Sequence, residues 1–302
     1  MSADFSSDSP FPDVMAHASA RLGAASAPII ERYAAFTSGG SGGNPAGVAI
    51  CDAMPSDKEM QSIALKVGYS ETVFAAPSDD GWRVRYFAPA LEIPFCGHAT
   101  IALGAALARR HGSGQFRLHL NGASIVIDGR DNTGALSAAF KSPPTSRRDI
   151  DDGILRNVLE LFGYSKTDLD PRIVPAIVNG GSDHLVIALK ERAALSGMTY
   201  DTGRGAELMR DMGIATIALI VVEANSLIHA RNAFAAGGLV EDPATGSAAA
   251  GLGGHLAAMG WPSRAIKILQ GEDMGVPCEL HVELPAGSGE GAIVLGDVRI
   301  LS

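Results

Sequence analysis

Two stretches of this chain, Glu92 to Leu107 (EIPFCGHATIALGAAL) and Glu241 to Leu256 (EDPATGSAAAGLGGHL), repeat one pattern. At the single offset that aligns Gly97 with Gly246, the pairs Glu92/Glu241, Pro94/Pro243, Ala99/Ala248, Leu103/Leu252, Gly104/Gly253 and Leu107/Leu256 also coincide, and Cys96 falls opposite Thr245. That offset is about half of the 302 residues. The repeat therefore predicts a chain built from two similar halves.

Each copy reads as a tight turn running into a helix almost without charge until its end, where Arg109, Arg110 and His111, or Gly260 and Pro262, stop it. A helix that is apolar all round has to be buried all round, so the rest of each half is expected to wrap around it. The helices begin Gly-His-Ala and Gly-Ser-Ala, which leaves their first backbone N–H groups and positive dipole ends open to an anion. Facing each other across a domain interface, two such ends make a carboxylate site. Without that apposition they are simply two well-packed core helices.

Apolar residues make up 46% of the chain and charged residues 19%, enough for a large core, and this length more often means two domains than one. The net charge of −9 argues against a nucleic-acid or anionic-membrane surface, because no basic stripe is available. An anionic ligand must then be held by local donors. Cys51, Cys96 and Cys278 form no CxxC pair, which fits a reducing, cytoplasmic setting. The eight histidines are scattered without zinc-binding spacing, so no metal site is expected. Residues 1–28 are rich in Ser, Ala, Asp and Pro, and Asp4, Asp8 and Asp13 occupy the place where a secretion signal needs positive charge. They read as a disordered or loosely docked tail. No apolar run reaches the ~18 residues of a membrane span.

The first half, residues 29–130, opens with the strand IIERYAAFT, a flexible glycine-rich loop SGGSGGNPAG (38–47) and a second strand VAIC. Gly39-Gly40-Ser41-Gly42-Gly43 matches a nucleophile-elbow pattern literally, but Asn44-Pro45 follows in place of a helix. A helix follows from a Ser56 cap to Gly68. Glu71 is then the odd member of an apolar strand, YSETVFAAP; at the core edge desolvation raises its pKa, which suits general acid/base work. A solvated strand residue is the plainer alternative. The turn cluster GRDNTG (129–134) is the expected boundary, residues 131–287 form the second half, and the final segment, 288–302, supplies a strand returning to the first.

Gly43-Asn44-Pro45, Ser70-Glu71-Thr72-Val73-Phe74, Arg85-Tyr86-Phe87-Ala88-Pro89, Phe95-Cys96-Gly97-His98-Ala99-Thr100 and Glu241-Asp242-Pro243-Ala244-Thr245-Gly246-Ser247-Ala248 occur in this order along residues 30–302. As a set they resemble the phenazine-biosynthesis PhzF-like proteins, within the diaminopimelate-epimerase-like superfamily. The resemblance implies an α/β (α+β) fold of two pseudo-symmetric halves, each a curled, mostly antiparallel sheet around a central buried helix. It implies an active site in the cleft between them and a homodimer. It further implies an isomerase that uses no cofactor and moves a proton on a small cyclic carboxylic acid, dihydro-3-hydroxyanthranilate in the phenazine pathway. Carried over residue by residue, Glu71 takes the proton from one carbon and returns it to another on the same face. His98, Asp242 and Ser247 bind and orient the substrate, and the Gly97 backbone adds a donor. Gly246, Thr245, Cys96 and Asn44 complete the substrate-binding set.

Racemases of the superfamily work with a thiol at each helix start, whereas here Thr245 stands opposite Cys96. A hydroxyl is a far weaker acid, which argues against a two-thiol epimerase. A single-thiol epimerase or dehydratase acting on an amino or imino acid through Cys96, and a binding protein for small acids, remain as alternatives.

Overall fold

The computed structural model describes residues 28–287 and 289–302; apart from Pro28, the tail expectation falls outside the described residues. Strand β1 (Glu31–Ala35) turns through left-handed Gly39, Gly40, Gly42 and Gly43 into β2 (Asn44–Ile50). The turn needs glycine at position 42, where a Cβ would lie 2.0 Å from the Pro277 carbonyl oxygen. The strand starts earlier than the sequence suggests, because Asn44 to Gly47 pair with Arg32 to Ala35 despite their loop-like composition. Helix α1 (Asp57–Val67) has a reciprocal Ser56/Glu59 capping box and ends at left-handed Gly68. It carries the chain over to β3 (Glu71–Ser78), which lies parallel to β2.

Strands β4 (Gly81–Phe87) and β5 (Glu92–Ile93) lead into α2 (Gly97–His111). Strands β6 (Gly114–His119), β7 (Ser124–Asn132) and β8 (Ala135–Lys141) follow as a meander. The second half contributes β9 (Ser146–Asp149), α3 (Asp152–Leu161), β10 (Ala176–Asn179), β11 (Asp183–Leu189), α4 (Arg192–Ser196) and α5 (Thr202–Met212). It continues with β12 (Thr216–Ala224), β13 (Leu227–Ala233), β14 (Glu241–Asp242), α6 (Gly246–Ala258), β15 (Ala265–Gln270) and β16 (Cys278–Glu283), and β17 (Ile293–Ile300) comes last.

In the first half the pairing β1–β2–β3–β4–β6–β7–β8–β17–β1 closes a ring around α2, and only the β2/β3 and β4/β6 contacts are parallel. Residues Gly97 to Ala108 of α2 are all buried. Burying Ile101, Leu103 and Leu107 contributes about 1.5–3 kcal/mol each. Strands β9–β10–β11–β12–β13–β15–β16 curl around α6 in the same way, and Gly246 to Gly253 are buried. Strand β17 belongs to both sheets, since it also pairs with β16. The turn at 129–134 joins β7 to β8 within the first ring, so the crossover between the halves lies later, at Ser142-Pro143-Pro144-Thr145. Among the described residues no helix is long and apolar enough to cross a membrane.

Helix α2 sits close on its sheet because glycines face it. A Cβ on Gly129 would fall 2.3 Å from the Gly104 carbonyl oxygen, and one on Gly104 would fall 2.9 Å from Ala138 Cβ. Backbone cannot give way as a side-chain tip does. Gly129→Ala is therefore expected to lower the unfolding free energy by about 1–3 kcal/mol in urea titrations. Gly114→Ala, at a strand position with nothing within 4 Å, should change it by less than about 0.5 kcal/mol. Equal effects from the two substitutions would refute this account of the helix–sheet contact.

Candidate active site

Each helix start is delivered by a short strand pair. Phe87 pairs with Glu92 in the first half, and Ala233 with Glu241 in the second. A strand arginine pins each glutamate: Arg85 Nε donates to Glu92 Oε1 at 2.8 Å, and Arg231 Nε donates to Glu241 Oε2 at 2.9 Å. A second guanidinium nitrogen completes a bidentate pair in both cases. The turns that follow place α2 and α6 tip to tip. A Cβ on Gly97 would lie 3.0 Å from Gly246 Cα, and one on Gly246 would lie 3.3 Å from Gly97 Cα. Neither N-cap, Cys96 or Thr245, closes its own first turn with its side chain, so two helix N-termini present donors side by side.

These tips form the floor of a cavity of about 710 Å³ lined from both halves. Glu71, Cys96, Gly97 and His98 come from the first half, and Asp242, Thr245, Gly246 and Ser247 from the second. Asn44 stands behind this lining, where its Nδ2 donates to Asp242 Oδ1 at 2.7 Å and to the Ala244 carbonyl at 3.1 Å. The residues singled out in the sequence thus converge on one place.

On the first-half wall, Glu71 opens β3 and is 6% exposed. Burial raises its pKa, opposed by hydrogen bonds from Ser70 and Cys96. His98 Nε2 lies 3.3 Å from Glu71 Oε2, and His98 Nδ1 lies 3.3 Å from Cys96 Sγ. Burial lowers the His98 pKa, with the Asp242 charge working the other way, so the imidazole is neutral at neutral pH and its contact with Glu71 is not an ion pair. The Cys96 thiol is pushed well up by burial and then by the Glu71 charge. Glu71, Cys96 and His98 bring one metal-ligating atom each within 4.8 Å of one another.

On the opposite wall, Asp242 Oδ2 accepts from Thr245 Oγ1 at 2.7 Å. Gln270 secures this turn by donating to the Asp242 carbonyl at 2.7 Å and accepting from the Thr245 N–H at 3.4 Å. Burial pushes the Asp242 pKa up to about 6, with His98 and its hydrogen bonds opposing and the Glu71 charge adding. Ser247 Oγ meets His184 Nε2 at 2.8 Å. His184, Thr216 and Gln270 were not foreseen from the sequence. A histidine opening an otherwise apolar strand, HLVIAL, was the signal available for the first of them.

The family model of phenazine biosynthesis-like proteins (PhzC-PhzF) matches residues 33–293. A Deinococcus radiodurans protein named as an uncharacterized isomerase is 33% identical over 273 residues, covering 84% of this chain and 87% of the relative. The trans-2,3-dihydro-3-hydroxyanthranilate isomerase of Pseudomonas chlororaphis is 31% identical over 252 residues, covering 80% of this chain and 85% of that one. Among solved structures, the Bacillus anthracis phenazine biosynthesis protein of the PhzF family superposes with a TM-score of 0.78 at 22% identity, covering 90% of this chain and 96% of that chain.

The raised carboxyl of Asp242 has a measurable consequence for stability. Its folded-state pKa lies above the ordinary aspartate value, so the native state holds this proton more tightly than the unfolded chain does. The contribution to stability is greatest below the ordinary aspartate range and falls as pH rises through about 6. By neutral pH the loss amounts to about 3 kcal/mol at most. Asp242→Asn can keep the Asn44 contact and reverse the one to Thr245, so it should be more stable than the wild type at pH near 8 and lose that advantage toward pH near 4. Urea unfolding at both pH values checks this; a difference independent of pH would rule it out.

Proposed function

Because the chain belongs to the phenazine biosynthesis-like family, we propose that it is a cofactor-independent isomerase that moves a proton between two carbons of a small cyclic carboxylic acid, of the dihydro-3-hydroxyanthranilate kind. The observation that carries this reading is Glu71, buried on the cavity wall beside a neutral His98 and facing two helix N-termini. As a carboxylate, Glu71 accepts the proton from one ring carbon: that C–H bond breaks, an O–H bond forms, and the electron pair moves into the ring and toward the substrate carboxylate. The resulting acid then returns the proton to another carbon on the same face, and the double bond has shifted. No electrons leave the substrate, so the balance closes without a redox partner.

A raised pKa serves both steps, since it makes the carboxylate a stronger base and keeps the acid form accessible for the return. The first-turn amides around Gly97 and Gly246 meet the charge that develops on the substrate carboxylate. His98, whose Nε2 lies 3.3 Å from the Glu71 carboxylate, borders the reacting face. Asp242, steadied by Asn44 and Thr245, addresses the polar ring substituents. The protonated state of Cys96 weighs against the single-thiol epimerase or dehydratase. The same reading takes the enzyme as a cytoplasmic homodimer.

The test is NMR of trans-2,3-dihydro-3-hydroxyanthranilate in D₂O. Wild-type protein is expected to convert the ring signals and place deuterium on a ring carbon, while Glu71→Gln loses about 10²–10⁴-fold in rate and Cys96→Ser retains turnover. The acid limb of kcat/KM should lie above the ordinary glutamate range, activity rising with pH as Glu71 deprotonates. An unchanged substrate refutes the assignment. Loss of turnover in Cys96→Ser together with retention in Glu71→Gln transfers the chemistry to the thiol.

A further inference from the structure

The second-half wall of the cavity carries a buried polar chain that proton transfer does not use. Ser247 Oγ lies 2.8 Å from His184 Nε2, His184 Nδ1 lies 2.8 Å from Thr216 Oγ1, and the Thr216 hydroxyl donates to Asn232 Oδ1 at 3.0 Å. His184, Thr216 and Asn232 are 1, 2 and 2% exposed and Ser247 is 9% exposed. The chain runs across β11, β12 and β13, where His184 and Thr216 are register partners, and ends at the first turn of α6. Ser247, His184 and Thr216 all line the cavity.

Burial pushes the His184 pKa down to about 4, so its ring carries a single proton at neutral pH and must donate from one nitrogen and accept at the other. Thr216 has given its only proton to Asn232, so it can only accept from His184, and the ring proton sits on Nδ1. The bare Nε2 must then accept the Ser247 hydroxyl proton. With that proton committed, what Ser247 offers the cavity is a lone pair.

We infer that His184 is a positioning residue that turns Ser247 into a hydrogen-bond acceptor toward the cavity, selecting substrates that carry an amino or hydroxyl donor beside their carboxylate. The carboxylate itself is left to the backbone N–H groups of the two helix starts; in this respect the inference rests on the small-acid reading of the cleft. A chain polarised in the opposite sense would need the Asn232 amide nitrogen against Thr216, and would make Ser247 a donor to the carboxylate.

The deciding measurement is a two-bond ¹H–¹⁵N correlation spectrum of wild-type protein, with the His184 signals identified by their loss in His184→Gln. The expected result is an imidazole protonated on Nδ1 that does not titrate between about pH 5.5 and 8. An Nε2–H tautomer, or a titrating ring, overturns the inference. Calorimetry with two simple acids reads the consequence: anthranilate, which has an amino donor beside its carboxylate, should bind about tenfold tighter than benzoate, one hydrogen bond's worth. That ratio should fall to about one in Ser247→Ala and in His184→Gln, with no further fall in the double variant. A ratio that survives Ser247→Ala, or independent effects of the two substitutions, would refute the positioning role. If neither acid binds, the carboxylate reading of the cleft fails, and the tautomer still decides the sense of the chain.

Discussion

Everything in this cleft depends on how closely two helices can approach end to end. Gly97 and Gly246 meet backbone against backbone, so that a Cβ at either position would press on the opposite tip at 3.0 to 3.3 Å. Because they lie so close, two sets of first-turn amides share one cavity wall, where their dipoles act together on a bound anion. The repeated Glu-x-Pro-x-x-Gly turn, clamped by Arg85 in one half and Arg231 in the other, is the device that holds them there. The rings of strands supply the burial that both helices need along the rest of their length.

The low-polarity volume separates the roles of its ionisable groups. Burial raises the proton affinity of Glu71, Asp242 and Cys96 and lowers that of His98 and His184. The groups that would otherwise pair as ions are brought toward neutrality. A carboxyl with raised proton affinity suits the proposed shuttle between carbons, as base in one step and acid in the next. Burying these groups costs stability, which the large apolar core around α2 and α6 offsets.

Much of this was legible in the sequence for specific reasons. The repeat survives as Glu, Pro and Gly at fixed positions because those residues answer to backbone geometry, which both halves must keep. Ser56 announced α1 through capping chemistry that acts within four residues, and the fold adds Glu59 as its reciprocal partner. What escaped was non-local. Asn44 to Gly47 look like loop, yet pairing with β1 draws them into a strand. The Gly-Arg-Asp-Asn-Thr-Gly turn has the same composition whether it links domains or closes a hairpin, and here it closes a hairpin. His184 reads as one polar residue in an apolar strand; only the fold reveals that Thr216 and Ser247 lie on either side of its ring.

The strand Ile293–Ile300 closes the first ring by lying between β8 and β1. On a ribosome the rest of that ring is finished by residue 141, but it remains a seam with two unpaired edges until the whole second half has been made. The amino-terminal half therefore cannot complete itself during synthesis, as an ordinary leading domain would. Its exposed edges are a liability for as long as elongation lasts, and the loop that must close is nearly as long as the protein, which favours slow, late and cooperative closure. By this arrangement the cleft forms only once both halves are present, so no folded half-enzyme precedes the whole.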